Sequence, residues 1–120
     1  MDYLELALKI IISGSILNVW LLRSGKPSQW RGGQAKNMKE EFAVYGLPMW
    51  FMNVIGGLKV MLALLLLVSI WSPRLEAVAA YGIAVLMLGA VGMHIKVGDP
   101  LTKSIPAFSF LVLSLLVALL

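Results

Sequence analysis

Four long apolar stretches follow one another along the chain, separated by short polar segments. They predict helices over about residues 3–22, 48–71, 74–97 and 100–120. A helix needs roughly 20 apolar residues to cross the hydrocarbon core of a bilayer, and each stretch is long enough. The pattern therefore predicts an all-α integral membrane four-helix bundle, with residues 1–120 forming a single domain.

Prolines mark where three of these helices begin. Pro48 suits a first helical turn, where the missing N–H costs nothing, and both Ser72-Pro73 and Asp99-Pro100 combine an N-cap residue with a following proline. Starting the last helix only at Pro106 would leave too few residues for a span. We therefore expect it to start at Pro100 and to kink at Pro106, which would free the carbonyl of Thr102.

The segment between the first two spans, residues 23–46, is rich in Gly, Pro and Ser at its start, which is typical of a loop. Trp30 beside Arg31 is typical of an anchor at the level of the lipid headgroups. A periodic apolar pattern then predicts a short amphipathic helix that lies on the membrane surface or caps the bundle. Its apolar side carries Ala35, Met38, Phe42 and Tyr45. A soluble turn with chance periodicity is the alternative.

Composition supports a membrane protein and excludes several chemistries. Of 120 residues, 60% are hydrophobic and 13% are charged, and the mean hydropathy is +0.90. Because the chain has no cysteine and one histidine, it excludes disulfides, iron–sulfur clusters, thiolate metal sites and multi-histidine metal sites. The net charge of +4 comes from bases beside apolar stretches, so we predict the lipid bilayer, not nucleic acid, as their partner.

Basic residues also predict the orientation in the membrane. Cytoplasmic loops are enriched in Lys and Arg. Seven such residues belong to the first and third loops and two to the opposite side. The seven are Arg23, Lys26, Arg31, Lys36, Lys39, Lys96 and Lys103, and the two are Lys9 and Arg74. We predict a multi-pass protein of the plasma membrane, the inner membrane in bacteria, with both termini outside the cytoplasm.

Four polar side chains within the spans predict a ligand-binding pocket. Counted along the helices, Asn18, Asn53 and His94 lie at similar depth near the cytoplasmic ends. Lys59 lies roughly 16 Å into its helix, near the midplane, where an ammonium group is costly unless it is sheltered. Depth says nothing about the direction in which each side chain points.

Each of these residues also has a structural interpretation. Lys59 could snorkel or form an ion pair, with Glu5 the nearest acid by depth. His94 and the two asparagines could simply hydrogen-bond between helices. Asp99 could be only the N-cap of the last helix, or it could order the cytoplasmic mouth by pairing with Lys96 or Lys103.

The second half of the chain resembles the DoxX-like membrane proteins, particularly the branch that includes the acetylcholine-receptor chaperone NACHO. The resemblance covers about residues 46–120. It rests on a glycine followed three positions later by a charge, a proline turn, and a His-x-x-Val-Gly-Asp-Pro-Leu motif with a nearby lysine. These features are Gly56, Lys59, Pro73, His94, Val97, Gly98, Asp99, Pro100, Leu101 and Lys103. Many relatives carry an acid at the position of Lys59.

The resemblance implies a four-helix membrane bundle with Gly98, Asp99 and Pro100 as a structural motif. Some members are linked to quinone-dependent oxidation of sulfur compounds and others to receptor assembly. Because the sequence contains no catalytic triad, no paired carboxylates and no phosphate-binding loop, we predict a noncatalytic accessory or assembly factor that packs against other membrane proteins. A membrane subunit of a quinone-linked oxidoreductase is the first alternative, and a small solute or proton carrier is the second. The sequence implies no metal and no cofactor apart from quinone in the first alternative, and it is also compatible with a homo-oligomer.

Overall fold

The computed structural model describes residues 3–26 and 30–120, and this part of the chain contains helices and turns but no strand. Four helical segments within it are long and apolar enough to cross a membrane, namely Tyr3–Leu22, Met49–Val68, Pro73–Lys96 and Leu101–Leu119. The molecule is 41 Å long, which exceeds the roughly 30 Å thickness of a hydrocarbon core. The predicted all-α four-helix membrane bundle is confirmed.

The first span changes its helical type near its end. Helix α1 covers Tyr3–Leu17 and continues as a π-helical turn over Asn18–Leu22, closed by a bond of 3.0 Å from the Arg23 N–H to the Asn18 carbonyl. No pattern in the sequence predicts this turn. A π turn inserts a residue into the helical repeat and so redirects the side chains that follow.

The other three spans begin close to the predicted positions. Helix α3 covers Met49–Val68, with Pro48 in extended backbone just before it. Helix α4 covers Glu76–Lys96 and helix α5 covers Ile105–Leu119, and each follows a short 3₁₀ turn.

The predicted kink and side-chain caps are not present. Pro106 lies in the first turn of α5, and the Ile105 N–H donates to the Thr102 carbonyl, which therefore keeps a partner through 3₁₀ geometry. The Ser72 side chain makes no capping hydrogen bond. Asp99 does not cap the last span either, because its carboxylate is bonded to His94 and to the Gly33 N–H.

The predicted amphipathic helix is present as α2, Met38–Val44. Asn37 is its N-cap, and its side-chain oxygen accepts from the Glu40 N–H at 2.8 Å. Met38 and Phe42 are buried, as is Tyr45 at the C-terminal end. The helix packs against α3 and so caps one end of the bundle.

The bundle is tightly packed at the end opposite to α2. Alanines let the helices approach closely there, and Gly82 lies against the Leu62 side chain. Seven fully buried residues form the centre of this core: Ile12, Ala63, Leu66, Ala79, Ala80, Ile83 and Val117. Toward α2 the packing opens into a cavity.

Candidate ligand cavity

A cavity of about 370 Å³ lies between the spans at the end that α2 caps. This volume is within the range of roughly 300–1,000 Å³ that is usual for small-molecule sites. Most of its wall is aromatic, aliphatic or methionine side chains. Its polar lining includes Arg23, Lys26, Arg31, Glu41, Tyr45, Lys59, His94 and Lys103. The arrangement suits a ligand with an apolar body and few polar atoms.

Lys59 places an ammonium group on this wall within the membrane span. It lies ten residues after the start of α3, about 15 Å along the helix. Its Nζ is 5.4 Å from the centre of the Trp20 ring, which is cation–π geometry. Among the described residues, no carboxylate lies within ion-pair distance of this nitrogen.

Trp20 reaches the cavity because of the π turn that ends the first span. Its ring meets the Phe42 ring edge-on, with 6.2 Å between the ring centres. It also packs on Gly56, where an added Cβ would come within 2.5 Å of the ring. Gly56 therefore admits the indole that supports Lys59, which is the close approach expected of a glycine in a membrane helix.

A chain of hydrogen bonds closes the α2 end of the cavity. The Tyr45 hydroxyl donates to the Glu41 carboxylate at 2.6 Å and lies 3.5 Å from the Nε2 of His94. The Nδ1 of His94 is 2.8 Å from the Asp99 carboxylate. Loop one and the end of the third span are thereby joined through side chains 49 residues apart in sequence.

The partners fix the direction of two hydrogen bonds in this chain. Tyr45 has one hydroxyl proton and donates it to Glu41. The Nδ1 of His94 faces the Asp99 carboxylate, and an ionised carboxylate can only accept, so Nδ1 donates to Asp99.

Asp99 receives three cationic or N–H groups at the membrane surface. The Gly33 N–H donates to it at 2.9 Å, and the Lys103 Nζ lies 3.9 Å away while also donating to the Gly33 carbonyl. Burial by itself raises the pKa of Asp99, but the hydrogen bonds from His94 and Gly33 and the charge of Lys103 outweigh it. The net pKa lies below the ordinary value of 3.8, so Asp99 is ionised at neutral pH.

Arg31 fixes the other end of the chain and does not point toward the headgroups as predicted. Its guanidinium is buried, pairs with Glu41 at 3.2 Å and donates to the Arg23 and Lys26 carbonyls.

Burial together with the charge of Glu41 raises the pKa of Tyr45 well above its usual range. Tyr45 therefore remains a neutral hydrogen-bond donor at physiological pH.

The structure brings two of the four predicted pocket residues together and separates the other two. Lys59 and His94 both line the cavity. Asn18 is exposed at the start of the π turn, and Asn53 is exposed on a different groove. Neither asparagine lines this cavity, since equal depth does not give the direction around the helix axis.

Sequence reasoning missed Tyr45, Glu41 and Gly33 as members of the site. The periodicity of the sequence places Tyr45 on the apolar side of α2 and Glu41 on its polar side, and indicates nothing more about either. Gly33 has a positive φ of 56°, a conformation that glycine adopts readily. The Gly32-Gly33 pair is therefore the feature of the sequence that could indicate a tight turn. Nothing local indicated that this turn would meet Asp99.

A second polar pair lies at the opposite end of the bundle. Lys9, 1% exposed, lies 3.5 Å from the Glu76 carboxylate and 3.4 Å from the Ser69 carbonyl. Glu76 is therefore engaged by Lys9 and is not a partner for Lys59. Within the described part of the chain, no group of three or more His, Cys, Asp or Glu side chains could hold a metal ion.

Four spanning helices around a partly polar cavity define a multi-pass membrane protein with a cavity inside its bundle. The profile of the DoxX-like family matches residues 28–118, which include every described residue of the Tyr45–His94–Asp99 chain. The chain belongs to the DoxX-like family. No curated protein and no solved structure matches it.

Proposed function

We propose that this protein is a noncatalytic accessory or assembly factor that receives a transmembrane helix of another membrane protein. The observation that carries the proposal is an open groove of about 920 Å³ along α3. Asn53, Gly57, Met61, Leu64 and Val68 line it at helical spacing. From Asn53 to Val68 the groove extends about 22 Å, most of the depth of a hydrocarbon core.

Two features of this groove favour a helix over lipid chains. Gly57 is exposed and has no atom within 4 Å of an added Cβ, so a partner backbone has room to approach closely. Asn53 exposes an amide in the membrane span, and such amides commonly hydrogen-bond between helices. The occupant we propose is one apolar spanning helix with a small or polar residue opposite Asn53. This role agrees with the resemblance to the chaperone branch of the family.

Site-specific photo-crosslinking in the native membrane tests this function. A photo-reactive residue at Gly57 should yield one adduct, with the crosslink mapped by mass spectrometry to a spanning segment of one defined protein. Asn53→Leu should lower its yield about threefold to tenfold, the effect of one interhelical hydrogen bond. The matched control is the same reactive residue at Gly92, which is also exposed and uncrowded, on α4.

Crosslinks only to lipid, or only to a second copy of this chain, would contradict the accessory function. Equal capture of the same protein from Gly57 and Gly92 would also contradict it, because the groove would then confer no preference.

A quinone-linked membrane subunit is a second candidate, favoured by the donors in the cavity. Lys59 offers N–H donors on an aromatic wall, and His94 lies on the same wall toward α2. A quinone headgroup is flat, apolar and edged by carbonyl acceptors, so it suits these side chains. Competition between decylubiquinone and decanoate for the cavity tests this candidate.

We further propose residence in the bacterial inner membrane with both termini outside the cytoplasm. Five of the seven bases in loops one and three support this orientation, because they are exposed at the α2 end: Arg23, Lys26, Lys36, Lys39 and Lys96. Arg31 is instead buried and ion-paired with Glu41.

A further inference from the structure

We propose that the cavity binds an amphipathic monocarboxylate, with the carboxylate paired to Lys59 and the hydrocarbon chain against the aromatic wall. This ligand class goes beyond the accessory function, which concerns the separate groove along α3. The argument rests on the charge of the cavity, the number of free donors and the routes by which a ligand could enter.

The charge of the lining is strongly positive. Of its ionisable side chains, five are Lys or Arg and one is a carboxylate, Glu41. Glu41 is bound by Arg31 and by the Tyr45 hydroxyl, so it does not neutralise Lys59 by direct contact. An ammonium group inside a membrane span needs a partner, and in the described part of the chain that partner is a tryptophan ring. An anion would complete the site.

The number of free donors limits the size of the anionic group. Arg31 is used by Glu41 and by backbone carbonyls, and Lys103 by Gly33 and Asp99. Arg23 and Lys26 are exposed to solvent. Lys59 remains as the inner cation, and no described carboxylate lies within ion-pair distance of it. One ammonium matches a single compact negative charge, such as a carboxylate, whereas a phosphate dianion usually requires several donors or a guanidinium fork.

The remaining wall suits an apolar chain. Phe42, Phe51 and Phe110 supply aromatic surface, and Met87 and Met93 supply side chains that adapt to different shapes.

Val85 and Gly89 line the cavity and are also exposed on the outside of α4. The cavity is therefore open toward the acyl chains, from which an amphipathic acid would enter.

A ten-carbon ligand series tests the proposal with the whole protein in nanodiscs. Binding of radiolabelled decanoate is measured by equilibrium dialysis, with empty nanodiscs subtracted, and decanol, decylamine and decylubiquinone are used as competitors. Decanoate should displace the label at least about tenfold better than decanol, since a hydrogen bond to a charged group is worth that much or more. Decylamine should not compete.

Variants at Lys59 then test whether its ammonium group binds the carboxylate of decanoate. Lys59→Met should weaken decanoate binding about tenfold or more, and Lys59→Arg should retain it. The matched control is Lys9→Met, which removes the intramembrane lysine at the other end of the bundle and should bind decanoate as the native protein does.

Several outcomes would overturn the proposal. Equal competition by decanol and decanoate would show that the cavity does not recognise charge, and this comparison needs no variant. Unchanged binding in Lys59→Met would exclude Lys59 as the partner. Stronger competition by decylubiquinone than by decanoate would overturn the carboxylate and favour the quinone candidate. None of these outcomes depends on the crosslinking at Gly57.

Discussion

At the scale of single residues, Asp99 joins the end of the third span to loop one through its carboxylate. It is bonded to His94 on α4 and to the Gly33 N–H in loop one, and it lies near Lys103. These partners explain why a residue in a helix-start motif does not act as an N-cap. A carboxylate that accepts from a histidine ring N–H and from a backbone N–H gains more than one that caps a short 3₁₀ turn.

Asp99→Asn should destabilise the protein by about 1–3 kcal/mol, because charged hydrogen bonds contribute that much. The difference from the native protein should also depend on pH. Since the folded pKa of Asp99 is lowered, its stabilisation is complete above 3.8, the ordinary value, and is lost as the pH falls through the lower folded pKa. Thermal unfolding in detergent across this acidic range measures both effects.

The control for Asp99→Asn is Glu40→Gln, at an exposed carboxylate on α2. Its difference from the native protein should be small. A difference for Asp99→Asn that stays constant down to the lowest pH would contradict the role assigned to the ionised carboxylate.

At the scale of elements, the helices are joined by polar contacts at opposite ends. The Tyr45–His94 contact fixes α2 against α4 near the cavity, and Lys9 joins α1 to α4 at the other end. Trp20, in the π turn, lines both the cavity and the groove on α3. A partner helix in the groove would therefore press on the same indole that supports Lys59.

A double-mutant cycle on Lys9 and Glu76 should give a coupling free energy of about 1–2 kcal/mol. Lys9→Met leaves Glu76 without its cation, and Glu76→Gln leaves a buried ammonium without its anion. The losses of unfolding free energy in the two single variants should therefore add up to more than the loss in the double variant. Unfolding by a denaturing detergent in mixed micelles provides the free energies. The exposed neighbour Arg74→Gln is the control, and strictly additive effects would show that the pair is not coupled.

At the scale of the whole molecule, the cavity and the exposed bases lie at the α2 end, and the apolar core lies at the other. This polarity makes the orientation in the membrane important, since it decides which compartment faces the hydrogen-bonded cap. The basic residues favour the cytoplasm for that end.

Cysteine labelling should establish the orientation, and the native chain gives no background because it has no cysteine. With a membrane-impermeant maleimide, Lys36→Cys in loop one should react in inverted vesicles and not in intact cells. Arg74→Cys, exposed on the opposite side, is the matched position and should show the reverse. Exchange of these two patterns would place the termini in the cytoplasm.

Much of the fold could be predicted because the bilayer leaves few alternatives. A long apolar stretch must satisfy its own backbone hydrogen bonds in lipid, so it becomes a helix. Hydropathy thus predicted the four spans to within a few residues, and periodicity predicted α2. The π turn at Asn18–Leu22 and the 3₁₀ starts were not predictable, since the residues there have no distinctive propensity.

The site residues, like the fold, could be predicted only in part from the sequence. The sequence by itself predicts that Lys59 and His94 face the interior, because a cation or an imidazole within an apolar stretch is costly and must be sheltered, and both line the cavity. Only the tertiary structure decided the directions of the side chains around each helix, and with them the exclusion of Asn18 and Asn53 and the inclusion of Tyr45 and Glu41. Those directions depend on packing between helices that are far apart in sequence, which a one-dimensional pattern of polarity does not record.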